Sequence, residues 1–195
     1  MSLDDIRLQE EIDLAERRNV IHTELIPELE DLIAAAEEAE DDEDAPAPEN
    51  SSVELRDLRD RLEGQAAACE RVEDALGGSV FVIQELMTSE TAILTDDVSE
   101  RSVDVDYERE EVSGSPKQGY HKIRTLELSV VDAPGTMETS MDRELGREVY
   151  CVGKLPDLVS DYLYECAMTL NDAGEIEDVG NLSSYGLSGQ TSGEN

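Results

Sequence analysis

Apolar positions recur every seven residues through the middle of the chain, at Leu55, Leu62, Cys69 and Leu76, with Leu58 and Val72 on the companion seam. A stripe of this period predicts a long amphipathic helix that packs through Leu55, Leu58, Leu62, Val72 and Leu76. Ser51 and Glu54 fit a capping box at its start. Gly77 and Gly78 stop it, because glycine enters the left-handed region without steric cost. The run Val80-Phe81-Val82-Ile83 follows at once. Its β-branched and aromatic side chains predict a short buried strand.

On either side the pattern is weaker. Leu3, Ile6, Leu14 and Ile21 mark an incomplete apolar face and predict a helix over 3–25. Pro27 should kink or break it near Leu25-Ile26, since proline lacks the amide hydrogen a helix needs. Leu25, Leu29, Leu32, Ala36 and Ala39 then form a coiled-coil seam about two heptads long. That is too short to stand alone in water, so it should fold back on the central helix or pack on a partner chain. The acidic, proline-containing run at 40–50 has the composition of a linker.

Beyond the strand, Thr88 or Ser89 could cap a short helix over 90–98. Val103, Val105 and Tyr107 alternate with Asp104 and Asp106, a half-buried strand signal. Residues 113–119 have the composition of a flexible loop. Apolar positions at Ile123, Leu126, Val130 and Val131 predict a helix over 120–133, a strand being possible for part of it. Residues 136–149 look like a polar, mobile connection. Pro156 opens a helix whose broad apolar face carries Leu158, Val159, Tyr162, Leu163, Cys166, Ala167 and Leu170, with Gly174 as its stop. The expected class is mainly α. An N-terminal helical, coiled-coil arm (1–40) and an acidic linker (41–50) precede the amphipathic helix (51–78). A small α-helical domain with one or two short β-strands (79–180) and a disordered tail (181–195) follow.

Charge changes the picture. The 195 residues carry 49 acidic against 15 basic side chains, a formal charge of -34. Lysine occurs only at 117, 122 and 154. This balance suits a cytoplasm at molar salt, as in halophilic archaea, where a Debye length of about 3 Å screens the repulsion. It argues against nucleic acid, whose phosphates would be repelled, and against anionic membrane surfaces. No apolar run approaches the roughly 20 residues of a spanning helix, and the N-terminus lacks a signal peptide's pattern. A cytoplasmic location is expected.

Candidate chemistry is sparse. Cys69, Cys151 and Cys166 have neither disulfide-framework nor zinc spacing and read as small apolar residues. The acidic run at 40–50 lacks the spaced ligands of a calcium loop, and the Asp104-x-Asp106-x-Glu108 run has Arg109 where an EF-hand needs glycine. His22 and His121 read as surface residues. A Cys166/His121 nucleophile pair has no orienting third group. Tyr150, Tyr162, Tyr164 and Tyr185 suit core edges or interface anchors. No catalytic motif, cofactor or metal site is expected, and the chain reads as a non-enzymatic interaction protein.

The order of elements resembles the tail assembly chaperones of long-tailed viruses and proviruses. The matching phrases are the Leu/Ala/Glu-rich helix at 53–76, SVFVIQELMTSETAIL (79–94), TLELSVVDAPGTM (125–137) and LPDLVSDYLYECAMTLNDAGEIEDVGN (155–181). The resemblance covers roughly 53–181 and implies a protein that binds the helical tape-measure protein, keeps it soluble and assists tail-tube assembly. With the halophilic composition, it implies a virus or provirus of a haloarchaeal host. Its client surface would lie on Leu158, Tyr162 and Leu163, helped by Val80 and Val82. The alternative for that helix face is the domain's own core. Self-association through the central seam is a further expectation. The competing readings are a structural neck or tail protein kept in the particle, and a haloarchaeal coiled-coil adaptor.

Overall fold

Residues 9–13 form a strand, β1 (Gln9–Asp13), where the apolar spacing predicts helix. The reason is tertiary. In this computed structural model, which describes residues 7–41, 48, 50–103 and 116–172, β1 pairs antiparallel with β2 (Val80–Gln84). The β-branched run of β2 offers a ladder that overrides local helical preference. Asp13 then turns the chain, its side chain accepting from the Ala15 amide at 2.9 Å. Helix α1 (Leu14–Val20) starts there, eleven positions after the expected Leu3.

Pro27 does not break the helix. Residues Ile21–Leu25 form a widened π turn, and the Ile26 amide bonds the Ile21 carbonyl. The extra residue in the turn makes room for a ring that cannot donate to the preceding turn. Helix α2 (Ile26–Asp41) continues directly.

Helix α3 (Ser52–Leu76) is the predicted central helix, with the Ser51/Glu54 capping box at its start. The Glu40 carboxylate accepts from the Ser52 amide (2.9 Å) and hydroxyl (2.8 Å), joining the end of α2 to the start of α3. These bonds hold the Glu40 carboxyl below its usual range, the backbone bond most. Arg56 pairs with Glu37, and Arg18 with Glu73 at 3.2 Å. Contacts at both ends in this order make α1–α2 and α3 an antiparallel hairpin. The seam at 25–39 thus folds back on the central helix, the first of the two arrangements expected, in place of a separate coiled-coil arm.

The seven-residue stripe of α3 serves two neighbours in succession. Leu55, Leu62 and Ala66 pack with Ile21, Leu25, Leu29, Ile33 and Ala36 of the hairpin. Leu58 and Leu32 lie partly buried against that cluster. Farther along, Ala68, Cys69 and Val72 join Ile12, Phe81, Ile83, Leu126, Val159 and Leu163 in a second cluster, with Leu76 packed at its margin. Gly77 then adopts φ 71°, and a Cβ there would meet nothing within 4 Å. The cost of a side chain is thus conformational. Gly77→Ala should lower stability by about 1–2 kcal/mol, read from urea unfolding at constant high salt, with Gly77→Asn less affected.

Helix α4 (Thr88–Val103) is longer than predicted. Neither Thr88 nor Ser89 provides its capping bond; the Glu90 carboxylate accepts from the Met87 amide at 2.9 Å. Val103 is helical, and 104–107 of the expected strand lie outside the described residues. Helix α5 (Pro116–Ser129) takes in 116–119 of the expected loop, with Pro116 at its first position. It gives way to strand β3 (Val130–Asp132) before Pro134.

The polar stretch read as a mobile connection is a hairpin of β4 (Thr139–Asp142) and β5 (Arg147–Tyr150). Its turn is set by Asp142, whose side chain accepts from the Glu144 and Leu145 amides, both at 2.9 Å, and by Gly146 at φ 64°. Helix α6 (Asp157–Asn171) follows Pro156 as expected. Gly174 and the tail lie outside the described residues. The fold is mainly α, with a three-stranded sheet ordered β1-β2-β3 and the β4–β5 pair. Among the described residues there are thus five strands where one or two were expected.

Candidate functional site

The predicted client face on α6 packs against the core. Leu163 is fully buried beside Val159, Cys166 and Ala167. Leu158 is half-buried, and a Cβ on Gly64 of α3 would lie 3.2 Å from its Cδ1. The Leu158 carbonyl accepts from Gln65 Nε2 at 3.2 Å. Tyr162 lies under the Arg17 guanidinium, 4.8 Å from the ring centre. Arg17 is itself buried and donates to Gln65 Oε1 at 2.9 and 3.1 Å. Burial pushes the Tyr162 hydroxyl well above the usual phenol range. The α6 face with Leu158, Tyr162 and Leu163 is therefore core: a helix between α3 and the sheet has no broad apolar face left over.

Val80 and Val82 stand differently. Ladder partners share a face of a sheet. Phe81 and Ile83 face the core with Ile12 and Val130. Val80 and Val82 face the other way with Asp13, Glu11 and Asp132 as register partners. Val80 is 41% exposed and Val82 half-buried. The result is a small apolar strip bordered by carboxylates. Of the helix-packing set, Leu55, Leu62 and Val72 are buried, while Leu58 and Leu76 are partly buried.

The buried thiols of Cys69 and Cys166 are unsuited to nucleophilic chemistry. Burial pushes Cys69 up to about 11 and Cys166 up to about 12, where the thiolate is scarce at neutral pH. His121 is no simple surface residue: it is half-buried, and its Nδ1 lies 3.1 Å from the Tyr164 hydroxyl. That partner is not Cys166. Among the described residues no group of three or more His, Cys, Asp or Glu is placed to hold a metal ion. No helix among them is long and apolar enough to cross a membrane.

Sequence reasoning missed two ionic clusters. Glu90, on the first turn of α4, pairs with Arg7 and Arg147, both at 3.1 Å. Arg124 of α5 contacts Asp97 of α4 at 2.6 Å, Glu127 at 3.3 Å and Glu144 at 3.8 Å, and also pairs with Asp142. Burial works against the Arg124 charge, but the carboxylates of Asp142 and Asp97 more than offset it and hold its pKa above the ordinary value. Burial pushes the Glu127 carboxyl up. The available signal was the presence of arginines in a chain so acidic, but nothing in one sequence pairs residues 57 or 83 positions apart. Comparison with known proteins brought no match to a family model, to a curated protein or to a solved structure.

Proposed function

We propose that this chain is a non-enzymatic assembly chaperone of the tail-assembly kind its element order resembles. It would act in the cytoplasm of a haloarchaeal host, binding the tape-measure protein and assisting assembly of tail-tube subunits around it. The observation that supports this reading is the outward strip of Val80 and Val82, bordered by Glu11, Asp13 and Asp132. Such a strip fits an amphipathic helix that carries Lys or Arg beside its apolar stripe. The -34 charge keeps a complex with an apolar client dispersed. The client surface proposed is thus the Val80/Val82 strip, with Leu158, Tyr162 and Leu163 assigned to the core.

Co-expression tests the proposal. The tape-measure protein should be soluble with the wild-type chain and aggregate with Val80→Asp plus Val82→Thr, the variant keeping its own helical spectrum. A client that stays soluble with that variant places the surface elsewhere. A client that is soluble with no chaperone present overturns the function. Recovery of the chain in purified particles would favour a retained neck or tail protein instead.

A further inference from the structure

Helix α4 is attached unlike the other long helices. Helix α6 buries Val159, Leu163, Cys166, Ala167 and Leu170. Across positions 88–98 of α4, Leu94 is the one buried apolar side chain, and it belongs to neither of the two apolar clusters. Its inward stripe is the buried Glu90 and Leu94 and the half-buried Asp97, spaced by one turn and then by three residues, so the three share one side of the helix. Glu90 lies between Arg7 and Arg147, with side-chain exposures of 7%, 11% and 38% respectively. Arg147 also donates to the Leu128 carbonyl at 3.0 Å, at the end of α5. Asp97 meets Arg124, the pair being 15% and 7% exposed. Two ionic contacts, one toward each end of this stripe, hold α4 down.

Such contacts hold in a particular way. A buried ion pair gains its attraction after both charges have lost water, and the two nearly balance. When the helix lifts, Glu90, Asp97, Arg147 and Arg124 all recover hydration. Burial of an apolar face gives no such refund on opening. Over 88–98, where the side chains are described, the net attachment of α4 therefore rests on Leu94 with the half-buried Ile93 and Val98, whereas α3 and α6 are anchored by two continuous cores.

We propose that α4 is an ionically latched lid, which lifts from α5 as a unit while the α1–α3 hairpin, the sheet and α6 stay folded. Opening separates Glu90 from Arg7 and Arg147, and Asp97 from Arg124, which keeps Glu127, Asp142 and Glu144 as neighbours. The inference rests on packing and does not depend on the chaperone reading.

Hydrogen exchange on the whole chain at molar salt, followed by mass spectrometry, tests it. In the wild type, peptides from 88–103 should exchange faster than peptides from α3 and α6. Glu90→Gln removes the negative charge that Arg7 and Arg147 share in the closed form. It should speed exchange of 88–103 by about a hundredfold or more, with α3 and α6 unchanged. Asp97→Asn, at the other latch, should act on the same peptides. Exchange that rises equally throughout the chain in both variants, or loss of the whole fold in both, would show α4 to be part of one cooperative unit and overturn the lid. Unchanged exchange in both would overturn the latch.

Discussion

Lowering salt from molar to tens of millimolar should strip the chain of much of its helix. Forty-nine carboxylates face fifteen basic groups, and of these Arg17 is buried against Gln65 while Arg124 and Arg147 are committed to pairs with Asp97 and Glu90. The surplus negative charge lies on outer helix faces. Glu28, Glu30, Asp31 and Glu38 are exposed on α2, and Glu63, Glu70 and Asp74 on α3. Neighbours a turn apart on a helix have Cβ atoms about 5–6 Å apart. At 1 M salt the Debye length is about 3 Å, so even near neighbours are screened; at 0.01 M it is about 30 Å, and the whole surface repels itself. The expanded chain relieves that repulsion, so unfolding is favoured as salt falls. Far-ultraviolet circular dichroism and the melting midpoint, followed across this range, read the effect. Helicity and midpoint that do not change would show that repulsion is not limiting.

The second large effect is expected at Leu62. It is 1% exposed and packs where α3 meets the continuous helical run of α1 and α2. Leu62→Ala should cost about 2–5 kcal/mol, the loss of transfer energy plus the cavity. Leu62→Asp adds an unpaired carboxylate in an apolar site and should cost roughly 5 kcal/mol or more. Domains of ordinary stability have about 5–15 kcal/mol in hand, so the aspartate variant should be largely unfolded even at high salt. Leu58, half-buried on the same helix, provides the comparison. Leu58→Asp can turn its carboxylate toward water and should keep the fold with a lower midpoint. Urea unfolding of the three variants at fixed molar salt measures the order. A Leu62→Asp chain that melts like the wild type would mean that the α2–α3 contact is not part of the stabilising core.

The legible parts of the fold were those whose signal is local. Ser51, Glu54 and Gly77 mark the ends of α3 by hydrogen-bond geometry and a left-handed residue within a few positions of each end. The seven-residue stripe of Leu55, Leu62 and Cys69 located the buried side of α3, and Pro156 located the start of α6. The stripe could not say that its two halves face different neighbours, since periodicity names a face and not what covers it. The same gap undid the predicted client face. Leu158, Tyr162 and Leu163 make an apolar surface that suits a partner or a core equally well, and Gly64, Gln65 and Arg17 close over it in the folded chain.

The sequence by itself determined that this chain is mainly helical, strongly acidic, stopped at Gly77 and followed there by a buried strand. Each of these is set by side-chain chemistry or by backbone freedom within a few residues. Only the tertiary structure decided that residues 9–13 are a strand, that Pro27 is absorbed by a widened turn, and that 139–150 form a hairpin. It also decided that Glu90 and Asp97 clamp α4 to Arg7, Arg147 and Arg124. In each case a weak local preference yields to a partner far along the chain. The free energy of a ladder, a packed turn or a desolvated ion pair belongs to both members, and one of them by itself carries no trace of it.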